Sequence, residues 1–137
     1  MSSENKDFVR RWFEEVWNKG RADAIDEMMA SDAMVHGLGP AALRGPAGFK
    51  PFHAQYRDAF PDVTIQIDAV VEEGDLVAAR WSGVGTHRGA GLGFAATGRT
   101  VHFSGMTFAR VQGGKLVEGW NVFDQLGMLQ QCGVVNL

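Results

Sequence analysis

The chain has one cysteine, Cys132, in 137 residues. No disulfide can form within it, and the expected setting is a reducing compartment. No apolar run is long enough to cross a bilayer as a helix. "MSSENKDFVRR" places charges where a secretory leader needs an apolar stretch. A soluble, cytoplasmic protein is the expectation. The basic residues form no run or stripe and the formal charge is −3, so neither nucleic acid nor an anionic membrane is an expected partner. No His, Cys, Asp and Glu residues show metal-ligand spacing, so the sequence predicts no metal site. The glycine-rich "RGAGLGFAATG" lacks the strand-to-helix setting and the Gly-Lys-Ser/Thr ending of a phosphate loop. With no repeat, linker or low-complexity tract, residues 1–137 read as one domain, long enough to bury roughly two-thirds of the unfolded surface.

What is abundant is bulky apolar side chain: four Trp, nine Phe and six Met. Such residues fill a core and also line pockets for apolar ligands. In residues 3–19, Phe8, Val9, Trp12, Phe13, Val16 and Trp17 recur at helical spacing. Ser3 is the expected N-cap and Gly20 the stop. A second helix is predicted over "ADAIDEMMA", then a brief extended segment in "SDAMVHGLGP". A third helix spans residues 46–60, with Pro46 in its first turn, Pro51 near its start, and Phe49, Phe52, Tyr56 and Phe60 as its stripe.

After Pro61 the period becomes two. Two strands joined at "EEGD", a glycine-rich loop, and a long hairpin turning at "QGGK" are predicted; "QLGMLQQ" closes the chain as a helix. Helices followed by strands indicate an α+β fold, with helices on one face of an antiparallel sheet. If the hairpin turns through Gly113, Gly114 and Lys115, Arg110 lies opposite Glu118. Thr107, Ala109, Gly119 and Asn121 then share one face; Phe108, Arg110, Glu118 and Trp120 share the other. Arg110 and Glu118 read as a cross-strand ion pair on the outer side. A tighter turn or a bulge would break this matching.

In order and spacing, "VRRWFEEVWNKGRADAIDEMMASDAMVH", "GPAGFKPFHAQYRDAFPDV", "ARWSGVGTHRGAGLGFAATGR" and "FSGMTFARVQGGKLVEGWNVFDQLGMLQQCG" resemble the SnoaL-like polyketide cyclase family, in the nuclear transport factor two-like superfamily. The resemblance spans nearly the whole chain. It implies a cystatin-like α+β barrel: a curved antiparallel sheet forming a cone, closed by the N-terminal helices around an apolar cavity. It also implies a homodimer or homotetramer through the outer sheet face. Its characterised enzymes close a polyketide ring by intramolecular aldol condensation with no metal or organic cofactor. They use an aspartate on the last strand, a histidine on the strand before it, and an amide near the end of the first strand. Asn121, Thr107 and Val35 stand at those positions here. Asn121 cannot act as a base, though its amide can donate to an oxyanion.

The titrating candidates are His36 and Asp124. Asp124 begins the last helix and reads either as its N-cap or, if desolvated among aromatics, as a general base. His36 reads as an acid/base at the cavity mouth or as a hydrogen-bonded wall residue. Asn121, Thr107, Trp17, Phe13, Trp81 and His87 are the expected substrate-binding residues, with His87 also able to orient the glycine-rich loop. His53 reads as a surface or rim residue, His102 as a sheet-surface residue, and Cys132 as a buried or tail thiol. The expected function is cofactor-independent proton-transfer chemistry (cyclisation, isomerisation or dehydration) on a small hydrophobic carbonyl compound. The alternative is a non-catalytic ligand-binding or assembly protein on the same fold.

Overall fold

The computed structural model describes residues 4–136, so the expected Ser3 cap lies outside the described residues. Helix α1 (Glu4–Trp12) buries Phe8, Val9 and Trp12, and the chain continues as a π-helical turn over Phe13–Asn18. The wider turn is held by the Lys19 amide on the Glu14 carbonyl at 2.8 Å. The carbonyls this leaves exposed at the helix end are met from outside it. Val16 O accepts from His53 Nε2 at 2.6 Å and Trp17 O from Arg57 Nη1 at 3.0 Å, answering the donor shortage of every helix C-terminus. Gly20, at φ 67°, ends the segment as the sequence predicts.

Helix α2 (Ala22–Met28) stops before the predicted Ala30. Met29 is already extended and buried, and it opens β1 (Met29–His36). A two-residue strand that the sequence does not announce, β2 (Leu43–Arg44), pairs antiparallel with β1, and α3 (Gly45–Ala59) follows with Pro46 in its first turn. The remaining strands are β3 (Thr64–Glu73), β4 (Leu76–Thr86), β5 (Thr100–Gln112) and β6 (Lys115–Phe123), and α4 (Gln125–Cys132) comes last.

The six strands form one curved sheet in the order β2-β1-β6-β5-β4-β3. Its two edge strands do not pair with each other, so the helices, not further strand pairing, close the cone. The sheet is antiparallel except at one seam: β1 runs parallel to β6, with Val35 opposite Gly119 and His36 opposite Trp120. The antiparallel expectation came from hairpins. β1 reaches β6 from the other end of the chain, and no tight turn fixes its direction.

The last hairpin turns on two residues, Gly113 and Gly114, both at positive φ, not on three. A one-residue bulge at Val117, between the pairs Val111–Leu116 and Arg110–Glu118, adds the missing residue back. The two departures cancel, and the predicted faces hold. The predicted Arg110–Glu118 ion pair does not. The two residues sit opposite each other, but Arg110 Nη1 reaches Asp75 in the β3–β4 turn at 2.8 Å, and Glu118 reaches His36 at 2.8 Å. Each side chain has a nearer partner to one side than straight across. Gln112 and Arg110 together hold the Asp75 carboxyl below its ordinary range.

Candidate functional site

The inner face of the sheet and the helices enclose a cavity of about 100 Å³. Helix α1 and the π turn contribute Phe8, Val9, Trp12, Phe13 and Trp17. Helix α3 contributes Phe49, Phe52 and Tyr56. The strands contribute Trp81, Phe103, Thr107, Ala109, Gly119, Asn121 and Phe123. Strand alternation brings Thr107 and Asn121 inward as a directly opposed pair. Gly105 makes room for Trp81: a Cβ there would lie 2.5 Å from the indole and 2.7 Å from Phe123.

The polar groups on this wall form one chain. Trp81 Nε1 donates to Thr107 Oγ1 at 3.1 Å, Thr107 Oγ1 donates to Asn121 Oδ1 at 2.8 Å, and Asn121 Nδ2 donates to the His36 carbonyl at 3.3 Å. The chain fixes the amide's orientation. Because an amide nitrogen carries two hydrogens, one N–H of Asn121 is left over. Among the described residues lining the cavity there is no carboxylate, imidazole, amine or guanidinium.

Five of the six predicted binding residues meet here: Asn121, Thr107, Trp17, Phe13 and Trp81. His87 does not line the cavity. It is fully buried behind Phe60, 5.5 Å away centroid to centroid, with Phe94 at 5.0 Å on its other side. Its Nδ1 accepts from the Thr97 amide at 3.1 Å and lies 3.0 Å from Thr97 Oγ1. The Gly98 amide donates to the His87 carbonyl, and the His87 amide to that of Arg99. His87 therefore pins the two ends of the glycine-rich loop together.

The two titrating candidates also stand elsewhere. Val35 takes the inward position on β1, so His36, its neighbour, points to the outer face. There its Nε2 meets Glu118 and its ring stacks on Trp120 with centroids 5.7 Å apart. Asp124 is the N-cap of α4: exposed, with Oδ1 accepting from the Gly127 amide at 2.8 Å. It does not line the cavity.

His53 overturns its surface expectation. It is buried, packed on Trp17 at 4.9 Å and bonded to Val16 O. Its aromatic neighbours in the core are Trp17 and Phe49. His102 is exposed on β5, as expected, and Cys132 is buried, with burial pushing its thiol pKa up. The residue sequence reasoning missed is Tyr56. It was counted in the α3 stripe, and that stripe faces the cavity.

On the outer face, Val71, Met106, Phe108 and Val122 are exposed, and with Trp120 and His36 they border a shallow concavity of about 520 Å³. Among the described residues no His, Cys, Asp and Glu cluster could hold a metal, and no helix is long and apolar enough to cross a membrane.

Residues 7–132 match the family model described as SnoaL-like polyketide cyclase. The fold is similar to that of a candidate SnoaL-like polyketide cyclase from Jannaschia sp. CCS1, with a TM-score of 0.88 and 24% identity over 98% of this chain and 94% of that one. IdmH, a candidate polyketide cyclase from Streptomyces antibioticus, is 31% identical over 95% of this chain and 99% of its own, with a TM-score of 0.80. AclR, a candidate hydroxylase from Streptomyces galilaeus, superposes with a TM-score of 0.86 at 23% identity, covering 100% of this chain and 89% of that one. A search of curated proteins finds no match.

Proposed function

The chain belongs to the SnoaL-like polyketide cyclase family, and from that premise we propose a cofactor-independent enzyme that binds a hydrophobic carbonyl compound in the inner cavity and stabilises the enolate oxygen formed there as a proton on the neighbouring carbon passes to solvent water. The observation that carries this reading is the Trp81–Thr107–Asn121 chain, which ends in an oriented amide N–H on an otherwise apolar wall. A fixed donor in a mostly apolar cavity stabilises an enolate or alkoxide oxygen without reorganising as charge develops. The cavity volume suits a single-ring molecule. A polycyclic one needs the half-buried Leu38, Phe52 and Tyr56 to swing outward, because pockets for larger ligands run to about 300–1,000 Å³. A cytoplasmic setting suits the lone buried thiol.

A second reading, a binding protein without turnover, is favoured by the absence of any carboxylate or imidazole among the described lining residues. Nuclear magnetic resonance separates the two. Exchange of the α-hydrogens of acetophenone for deuterium is followed with and without the protein. The enzyme reading expects acceleration, cut by about 100-fold in Asn121→Ala, the loss typical of one oxyanion donor. Acetophenone bound with no acceleration would sink the enzyme reading and leave the binder.

The expected partner is a second copy of the chain. Val71, Phe108 and Trp120 lie in one row across adjacent strands of the outer face, and Met106 and Val122 in the next. Exposed apolar residues in such an array suit an isologous interface. Sedimentation should give a dimer for the wild type, and Val122→Glu should shift it to monomer. An unshifted dimer would place the interface elsewhere.

A further inference from the structure

The donors available on the cavity wall can be counted. The Trp81 N–H goes to Thr107, the Thr107 O–H to Asn121, and one Asn121 N–H to the His36 carbonyl. What is left is the second Asn121 N–H and the O–H of Tyr56, the one titratable side chain among the described lining residues, whose oxygen meets the Gln125 side chain. Tyr56 sits one turn after Phe52 on α3, with ring centroids 4.7 Å apart, and edge-on to Phe123 at 5.9 Å and 79°. Phe123 follows Asn121 by two residues on β6 and lines the same wall. Tyr56 thus packs against the strand segment that carries the amide.

We infer that Tyr56 contacts the ligand, donating its hydroxyl to an acceptor oxygen, so that with Asn121 the cavity favours apolar molecules bearing two acceptor oxygens over those bearing one. This rests on reading the cavity as the ligand site. A phenol among aromatics needs a partner for its O–H; its ring neighbours Phe52 and Phe123 supply none, and the polar side chain it meets is that of Gln125. Burial raises the hydroxyl's pKa, while the Gln125 side chain from the start of α4 acts the other way. The phenol is therefore protonated at neutral pH and available as a donor. Gln125 is exposed, so a bound oxygen can take its place beside the hydroxyl while the amide turns to water.

The test uses the full chain and four single-ring probes: toluene, acetophenone, and meta- and para-diacetylbenzene. Affinities are measured by calorimetry and the carbonyl bands of the bound probes by infrared spectroscopy. In the wild type at least one diacetylbenzene should bind more tightly than acetophenone. Tyr56→Phe keeps the ring contacts with Phe52 and Phe123. It should weaken that diacetylbenzene by about five- to tenfold, the worth of one hydrogen bond. It should leave toluene unchanged and move one carbonyl band toward its position in apolar solvent. If toluene weakens equally, Tyr56 acts through packing and the inference falls. If affinities and bands are the same in Tyr56→Phe, it falls while the cavity reading stands. If no probe binds the wild type, the cavity reading itself fails and takes this one with it.

Discussion

Gly37→Ala should unfold the protein more readily than any other single methyl added near the site, by about 2–5 kcal/mol, the sum of a left-handed residue's cost and of overpacking. Gly37 has φ 87°, and a Cβ built on it would fall on the backbone carbonyl oxygen of Asn121. That oxygen belongs to strand β6 and cannot rotate away as a side chain would. The chain turns here because β1 ends beside Trp120 and has to leave the parallel seam at once. Asn121 is also the residue whose side chain bonds the His36 carbonyl, one residue before the glycine. Displacing either strand therefore disturbs the amide that faces the cavity. Thermal unfolding should show a melting point lower by roughly 10 °C, and acetophenone binding should weaken along with it. A variant that melts within a degree or two of the wild type would mean that β1 and β6 can separate without cost. The oriented amide would then not depend on that seam.

His53 should set a pH limit on stability. The side chain is 3% exposed, and its Nε2 donates to the Val16 carbonyl at the helix end, 2.6 Å away. Burial lowers its pKa from the ordinary 6.5 and the nearby Arg57 adds to that, while the bond to Val16 O opposes both. The folded value thus lies below the unfolded one. Between the two, the unfolded chain binds more protons than the folded chain, so stability rises with pH there. The contribution is complete above about pH 6.5 and is lost as pH falls through the lowered folded value. Melting points taken from about pH 7.5 down to 5 should fall faster for the wild type than for His53→Gln, which cannot titrate. Parallel curves would refute the assignment. His53→Ala should cost roughly 2–4 kcal/mol at neutral pH, combining a cavity beside Trp17 and Phe49 with an unmet carbonyl. The loss matters to the site because the same helix end carries Trp17, a wall of the cavity.

The sequence carried the face assignments of the last hairpin for a reason that outlived its own details. Side-chain direction depends on parity, and a two-residue turn plus one bulge has the same parity as a three-residue turn. Thr107 and Asn121 were therefore placed correctly on the inner face. His36 was misplaced for a related reason. Nothing in "MVHGLG" says which of two neighbours points inward when a strand's partner is remote in sequence, and Val35 took that position. His53 was expected at the surface or rim and His87 either in the pocket or orienting the loop; each is buried against a backbone group that needs it, the Val16 carbonyl at a helix end and the Thr97 amide across the loop. Tyr56 was visible only as one member of a stripe whose other members are phenylalanines.

Local pattern alone determined the α+β order of elements, the apolar helix stripes, the glycine stop at Gly20 and the alternation along β5 and β6. Each of these depends on residues a few positions apart, whose geometry covalent structure and hydrogen bonding fix. Tertiary structure decided the parallel seam between β1 and β6, the partners of Arg110 and Glu118, and which polar side chains reach the cavity. Those depend on which distant segments meet, and a choice among near-equal neighbours is made by packing that no single stretch of the chain contains.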